Sequence, residues 1–437
     1  MSFLNTYVFG IGIPILLVAT GVFYCFRLKF FHVFHPVKIV RTLLTRNKGS
    51  GVSSAKALML ALAGTLGVGN MVGVASAIAL GGFGAIFWMW ISAFVAMVLK
   101  YAEIVLAMLH RKYDEDGRPH GTAMYYIRIC FRGKLGKALA GIFAVFCLLN
   151  AFSMGSMIQV NASANAMHGV FGTPQIVIGA IFFIITLYVS LRGRSGVLDI
   201  TEKLVPFMTL GFVVLSVSVI VLRPSEAILA IKSIFDDAFT VRSSIGGLFG
   251  FLVSGGLRYG TMRGILSNEA GCGTAPAAHA VSDCREPARQ GVWGIFEVFV
   301  DTILLCTLTA VVIIIGYGAV DGNGDFMMMT VDAYRSVLGN AAGYFIAVSV
   351  LLFGLATVLC WEHYGIESIE YFTTKKSVKT AFIFAYSLSV LVGSVASAQF
   401  VWEAADLSIG VMSAINLSAL LLMNREVANE TNFYFNR

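Results

Sequence analysis

The sequence predicts an all-α polytopic membrane protein of eleven transmembrane helices, and three observations carry that prediction. Apolar runs of 18 or more residues recur along the whole chain, each long enough to span a hydrocarbon core of roughly 30 Å. Hydrophobic residues make up 57% of the chain and charged residues only 13%, with a mean hydropathy of +0.81. Lys and Arg concentrate in alternate loops. A β-barrel would show short alternating segments instead.

The spans run over roughly 5–26, 57–79, 83–109, 136–166, 173–191, 203–222, 243–274, 290–317, 341–361, 378–397 and 400–423. The fourth is long enough to tilt or to extend beyond the bilayer. With these spans, 24 of the 31 basic residues fall on one side and four on the other; Lys100, Arg258 and Arg263 lie within spans or at their ends. By the positive-inside rule the basic side is cytoplasmic. The N-terminus is then outside and the C-terminus inside, which requires an odd number of spans. The longest loops hold about thirty residues, so a single transmembrane domain over 1–437 is expected. Residues 1–56 form an accessory helix and a basic loop.

The net charge of +7 follows from this topology, and no nucleic-acid partner is expected. The seven cysteines are scattered, without a Cys-x-x-Cys, as ordinary small buried residues would be. The histidines show no metal-ligand spacing. No basic leader with a cleavage site precedes the first span, so all residues are expected in the mature protein.

The second span carries "GTLGVGNMVG", Gly64 to Gly73, at its middle. Glycine costs a helix interior about 1 kcal/mol relative to alanine. Broken backbone at membrane depth survives only where it is buried in protein or lines a polar cavity. An unwound segment here presents free N–H groups from one half-helix and free C=O groups from the other, which suit an anion and a cation. That combination is a site for an amino-acid carboxylate beside a sodium ion. The competing reading is close helix packing through Gly69-x-x-x-Gly73.

A second stretch favours the break. "SGGLRYGTMRGILSNEAGCGTA", 254–275, interrupts the seventh span with six glycines and with Arg258, Arg263, Ser267, Asn268 and Glu269. Five spans separate the two interruptions. Five is odd, so spans 2–6 (57–222) and spans 7–11 (243–423) run with opposite topology. Interrupted helices at matching positions of two inverted repeats mark the binding site of a secondary transporter.

These residues also carry a resemblance. "GTLGVGNMVGVASAIALGGFGAIFWMWISAFVAMVLKYAE", "RGILSNEAGCGTAPAAHA", "QVNASA" in span four and "LFGLATVLCWEHYG" in span nine resemble the alanine or glycine:cation symporter family. The similarity runs through nearly the whole chain, and the RGxxSNEAGxG run is specific. It implies a LeuT-like fold of 5+5 inverted repeats with one extra N-terminal helix. It also implies sodium-coupled uptake of small neutral amino acids.

The candidate substrate residues are Thr65, Gly67, Gly69 and Asn70 at the first break, Ser267 and Asn268 at the second, and Gln159 and Trp361. Asn70 is also suited to cap the second half-helix, Gln159 to bond another helix, and Trp361 to anchor at the interface. Sodium is expected at carbonyls near Gly64 and Gly67 and at the hydroxyl of Thr357, which matches the family's threonine. Ala356 stands where the family usually has serine, removing one hydroxyl.

Lys100, Glu103, Arg263, Glu269, Glu297 and Asp301 are candidates for a gate built of ion pairs. Lys100 and Glu103 share a helix face, as do Glu297 and Asp301. Glu269 is expected to pair with Arg263, because a lone membrane charge is costly.

The expected activity is sodium:amino-acid symport by alternating access in a bacterial cytoplasmic membrane. The expected partners are a small neutral amino acid, Na+ as coupling ion and the lipid bilayer, with no organic cofactor. A proton-coupled permease or exchanger of the same fold, using Glu362 or His363, is the alternative. Those two side chains are otherwise expected to be solvated at the end of span nine. A channel would show a filter sequence or an Arg-rich sensor helix. An enzyme would show a nucleophile or metal motif, and none is present.

Overall fold

The computed structural model describes residues 12–45, 51–115, 117–239, 255–317, 325–396 and 398–436. The first part of the first predicted span (5–11) and of the seventh (243–254) lies outside them. The molecule is almost wholly helical. Among the described residues the one β element is a short ribbon in which Lys112–Tyr113 (β1) pairs antiparallel with Pro119–His120 (β2).

The chain opens with α1 (Ile13–Arg27), then two short helices, α2 (Phe31–Phe34) and α3 (Pro36–Leu44). The interrupted span follows as α4 (Ser54–Thr65) and α5 (Gly69–Gly81), bent by 52° at the break. The Ser53 side chain caps α4 by accepting the Lys56 N–H at 3.2 Å. The break falls where the sequence is weakest as helix. Leu66 turns to φ −75°, ψ 53°, and the Gly67 N–H reaches back to the Thr65 carbonyl.

Next come α6 (Ala85–His110), α7 (Ala123–Phe131), α8 (Gly133–Phe171), α9 (Gln175–Leu191), α10 (Arg194–Leu222) and α11 (Pro224–Ala238). The second interruption lies between α12 (Gly255–Asn268) and α13 (Ala275–His279). Three residues there take the left-handed conformation: Glu269 (φ 54°), Gly271 (φ 83°) and Gly273 (φ 79°). Both glycines are also packed tightly. A Cβ on Gly271 would lie 2.8 Å from Leu17, and one on Gly273 would lie 2.8 Å from Phe143. The chain ends with α14 (Pro287–Gly316), α15 (Phe326–Leu338), α16 (Asn340–Glu370), α17 (Lys376–Gly393), α18 (Ala398–Leu422) and α19 (Asn424–Phe435).

Among the described residues six helices are long and apolar enough to cross a membrane, or seven if α4 and α5 form one span. They are α6, α8, α10, α14, α16 and the Ala404–Leu422 part of α18; α1 and α9 are shorter apolar helices. The molecule is a multi-pass membrane protein. α6 is its hub: 89% of its most apolar stretch is buried, against 28% for α10. α6 packs along α12 and α14, α16 packs against α8 and α4, and α17 lies on α9. Phe207, Leu210, Val214 and Val221 of α10 stay exposed, as a face toward lipid requires.

Two spans outrun the expected boundaries. α10 starts at Arg194, nine residues before 203. α16 runs to Glu370, nine residues past 361. The extension of α16 buries Trp361 completely and leaves Glu362 and His363 only 2% and 3% exposed. These side chains are therefore interior, not solvated at a helix end, and Trp361 is not an interfacial anchor. α8 and α14 each loosen midway into π-helical turns, over Ala151–Ile158 and Phe299–Cys306. Such wide turns are frequent at functional sites.

Candidate functional site

The two broken spans meet in the interior, and Asp301 joins them. Asn70, two positions past the first break, donates from Nδ2 to Asp301 Oδ1 at 2.8 Å and to its backbone carbonyl at 3.2 Å. Ser267, at the end of α12, donates to Asp301 Oδ2 at 2.7 Å and lies 3.3 Å from Asn70 Oδ1. Thr302 donates to the same carboxylate oxygen at 2.7 Å and accepts from Asn268 Nδ2 at 3.1 Å. All five side chains are buried. Asp301 forms no ion pair among the described residues, and the groups bonded directly to its carboxylate are hydroxyls and an amide. Carboxylate, amide and hydroxyl oxygens converging on one point are the donor set of a hard cation. The sequence flagged Asp301 as part of a gate. Its place between the breaks could not be read there, because it depends on the loosened turns of α14.

A second group of oxygens surrounds Gly67. The Thr357 hydroxyl donates to the Ala63 carbonyl at 2.8 Å. A Cβ on Gly67 would meet Gln159 Oε1 at 2.6 Å and Thr357 Oγ1 at 2.8 Å. Only glycine leaves the backbone that close to two side-chain oxygens. Gly64 is equally enclosed, by Cys360 and Tyr364 of α16. Gln159 acts on the break itself: its Oε1 accepts the Val68 N–H at 3.0 Å, and its Nε2 donates to the Met154 carbonyl at 3.1 Å. Gln159 thus occupies a backbone donor of the kind a carboxylate would use. Thr65 is buried, its hydroxyl turned back to the Ala61 carbonyl at 3.3 Å. Gly69 opens α5. Trp361 packs over Gly155 of α8, where a Cβ would fall 2.4 Å from it. Its indole N–H is buried and meets no acceptor among the described residues.

The charged candidates form a layer beneath the breaks. Lys100 Nζ lies 2.9 Å from Glu297 Oε1 and donates to the Asn268 carbonyl at 2.5 Å. Glu297 Oε2 is 3.0 Å from His279 Nε2, and Gln290 Nε2 is 3.0 Å from His279 Nδ1. The amide therefore donates to Nδ1, and Nε2–H faces the carboxylate. Glu103 does not pair with Lys100. It accepts the Gly273 N–H at 3.0 Å and Asn416 Nδ2 at 2.6 Å. Glu269 turns to the Thr274 hydroxyl at 2.7 Å, not to Arg263, which stays half-buried on α12. The left-handed backbone at Glu269 directs its side chain along the break, away from the preceding helix. One ammonium and three carboxylates thus tie α6, the second break and α14 together.

Sequence reasoning missed a further network at one end of α16. His120 Nδ1 lies 3.1 Å from Glu367 and 3.3 Å from Glu370, and Arg194 lies 3.5 Å from Glu367. Lys379 pairs with Glu370. The hydrogen bond that the His120 imidazole makes to the Glu367 carboxylate raises its pKa from the ordinary histidine value. His363, one turn before Glu367, faces the Ala277 carbonyl of α13 at 3.3 Å.

Comparisons with known proteins give the family and the fold. The model of the sodium:alanine symporter family matches residues 1–437. The sodium/alanine symporter AgcS of Methanococcus maripaludis is 35% identical over 434 residues, 98% of this chain and 95% of that protein. A Na+-coupled sialic acid symporter, solved in a substrate-bound outward-open state, superposes with a TM-score of 0.55 at 13% identity, covering 96% of this chain and 82% of that one. MhsT, solved with L-phenylalanine, also gives 0.55 at 13% identity, covering 86% and 91%. At such identities the likeness concerns the fold alone, the LeuT-like arrangement that the sequence resemblance implies. Broken helices facing each other, a whole-chain family match and a full-length relative that is a symporter rather than an enzyme converge: the chain belongs to the sodium:alanine symporter family.

Proposed function

We propose that the protein carries a small neutral amino acid, alanine or glycine, into the cell together with Na+ by alternating access. In this reading it has eleven spans. Spans 2–6 and 7–11 form the inverted repeats over 57–222 and 243–423, and 1–56 contributes the accessory helix. The N-terminus lies outside and the C-terminus in the cytoplasm of a bacterial cytoplasmic membrane.

The observation that carries the reading is the bonding of Asn70 and Ser267, one from each break, to the same buried carboxylate, Asp301. An ion held there ties the two breaks together. A second ion has oxygens at Ala63, Gly67 and Thr357. The substrate carboxylate takes the backbone donor at Val68 that Gln159 now holds, and the Trp361 indole walls the cavity. Sodium couples to substrate because both use the same unwound backbone, so each raises the affinity for the other.

The test is uptake of radiolabelled alanine into proteoliposomes under an imposed inward sodium gradient, with an equal potassium gradient as control. Accumulation that requires sodium supports the proposal. Accumulation indifferent to sodium but driven by a pH gradient contradicts it and favours proton coupling. Glu362 is then the first residue to replace, since it is a buried carboxylate with one oxygen that meets no hydrogen-bond partner among the described residues.

A further inference from the structure

We propose that the groove between α3, the start of α14 and the end of α19 binds an anionic phospholipid, head group and acyl chain together. The sequence of α3, PVKIVRTLL, is amphipathic in an unusual way. Ile39 and Thr42 point into the protein and are buried. Val37, Val40 and Leu44 lie on the opposite arc, 79%, 53% and 78% exposed, and Phe34 just before them is 71% exposed. In water that face would be costly. Beside a bilayer it is the face that dips into the boundary between head groups and acyl chains, as in interfacial anchors.

Next to this apolar arc the structure places a cationic recess. A cavity of about 610 Å³ opens there, lined by Lys38, Arg41 and Arg289 together with Thr42, Thr45 and Tyr434. Among the described residues no carboxylate lines it. The three cations match a phosphodiester, while the hydroxyls already bond within the protein: Thr42 donates to the Lys38 carbonyl at 2.7 Å, Thr45 to the Arg41 carbonyl at 2.7 Å, and Tyr434 lies 2.8 Å from the Thr42 hydroxyl. The bonds that the cations make leave donors to spare. Lys38 gives one to the Tyr434 carbonyl at 2.6 Å, and Arg289 gives one to the Thr45 carbonyl at 2.9 Å. Glu286 stands 3.7 Å from one guanidinium nitrogen of Arg289 and leaves the other on the Thr45 carbonyl. Arg41 is exposed, and its guanidinium has no partner among the described residues. Guanidinium groups grip phosphate bidentately.

A soluble anion would use the recess and ignore Phe34, Val37, Val40 and Leu44. An uncharged lipid would use the apolar arc and ignore the three cations. Only a lipid with a negative head group uses both halves. Its binding would fasten α3 and the C-terminal helix α19 to the first turn of α14, the element that goes on to carry Glu297 and Asp301.

Native mass spectrometry of the full-length protein in detergent tests this, with dioleoyl phosphatidylglycerol and dioleoyl phosphatidylcholine added in turn. The expected result is retention of phosphatidylglycerol by the wild type and little of phosphatidylcholine. Arg41→Gln with Arg289→Gln should weaken that retention about tenfold, since each basic residue near an anionic head group contributes separately. Arg192→Gln, which alters another exposed arginine, should leave retention unchanged. If the double variant elutes as aggregate, Arg41→Gln alone carries the test, because that side chain holds nothing in the fold, and it should lower retention severalfold. Equal retention of the two lipids, retention unaltered in the folded variants, or displacement of the lipid by inorganic phosphate would each overturn the proposal.

Discussion

Gly67 and Gln159 show what single residues decide at the first break. Gly67 has two side-chain oxygens where a Cβ would sit. Gly67→Ala forces Gln159 or Thr357 aside, and alanine uptake should fall to background while the protein still elutes as a monodisperse peak. Gln159→Leu fills a similar volume but leaves the Val68 N–H without its acceptor. An orphaned buried donor costs about 1–3 kcal/mol. If substrate takes the same donor, the empty state is the one destabilised, so KM for alanine should fall, not rise; a dose–response of uptake in proteoliposomes measures it. The sequence showed both residues as candidates. That they touch each other was not legible, because 91 residues separate Gln159 from Val68 and only the π-helical turns of α8 bring them together.

At the scale of elements, the informative pair is α6 with α14. Lys100 and Glu297 are both fully buried and 2.9 Å apart. Removing one member of a buried pair typically costs about 3–5 kcal/mol, since the other charge is left uncompensated. Lys100→Met should therefore lower the detergent melting temperature sharply, and Lys100→Met with Glu297→Gln should recover most of it. If the pair also opens as a gate, the recovered double variant should melt normally yet transport with altered kcat. Recovery of both stability and kcat would mark the pair as static glue between the two helices.

The sequence located these charges but not the groups they bond. Spacing along one helix suggested Lys100 with Glu103, and the cost of a lone membrane charge suggested Glu269 with Arg263 across the break. Tertiary placement instead sends Glu103 to the second break and Glu269 along it. Periodicity reports which residues share a face, not which foreign helix that face meets. The ends of α10 and α16 were hidden for a related reason. Charged residues such as Glu367 and Arg194 read as solvated loop until their partners are seen.

Across the whole molecule, the two interruptions and the multi-pass membrane class were legible, because apolar runs and glycine clusters are properties of local sequence. The network joining the α6–α7 loop to α10 and α16 was not, since His120 finds Glu367 across 247 residues. That network gives the molecule a pH dependence. The folded state raises the His120 pKa above the unfolded value of about 6.5. Its contribution is therefore fully present below about pH 6.5 and is lost as pH rises through the folded value. The melting temperature of His120→Gln should lie furthest below wild type near pH 5.5, roughly one unit under that reference, and should converge with it at alkaline pH. A gap independent of pH would mean the imidazole acts only as a neutral hydrogen-bonding group.

The central claim concerns one carboxylate shared by two broken helices, and sodium affinity tests it most directly. Equilibrium binding of labelled alanine to purified protein, titrated with NaCl at constant ionic strength, gives the half-saturating sodium concentration for wild type and for Asp301→Asn. The substitution keeps the side chain's shape and removes its charge. The account predicts that half-saturation moves up by tenfold or more, equivalent to about 1.4 kcal/mol or more of lost ion binding, with alanine still bound at high sodium. An unchanged sodium dependence in a folded Asp301→Asn protein would contradict it and leave the oxygens around Gly67 as the place to look for the ion.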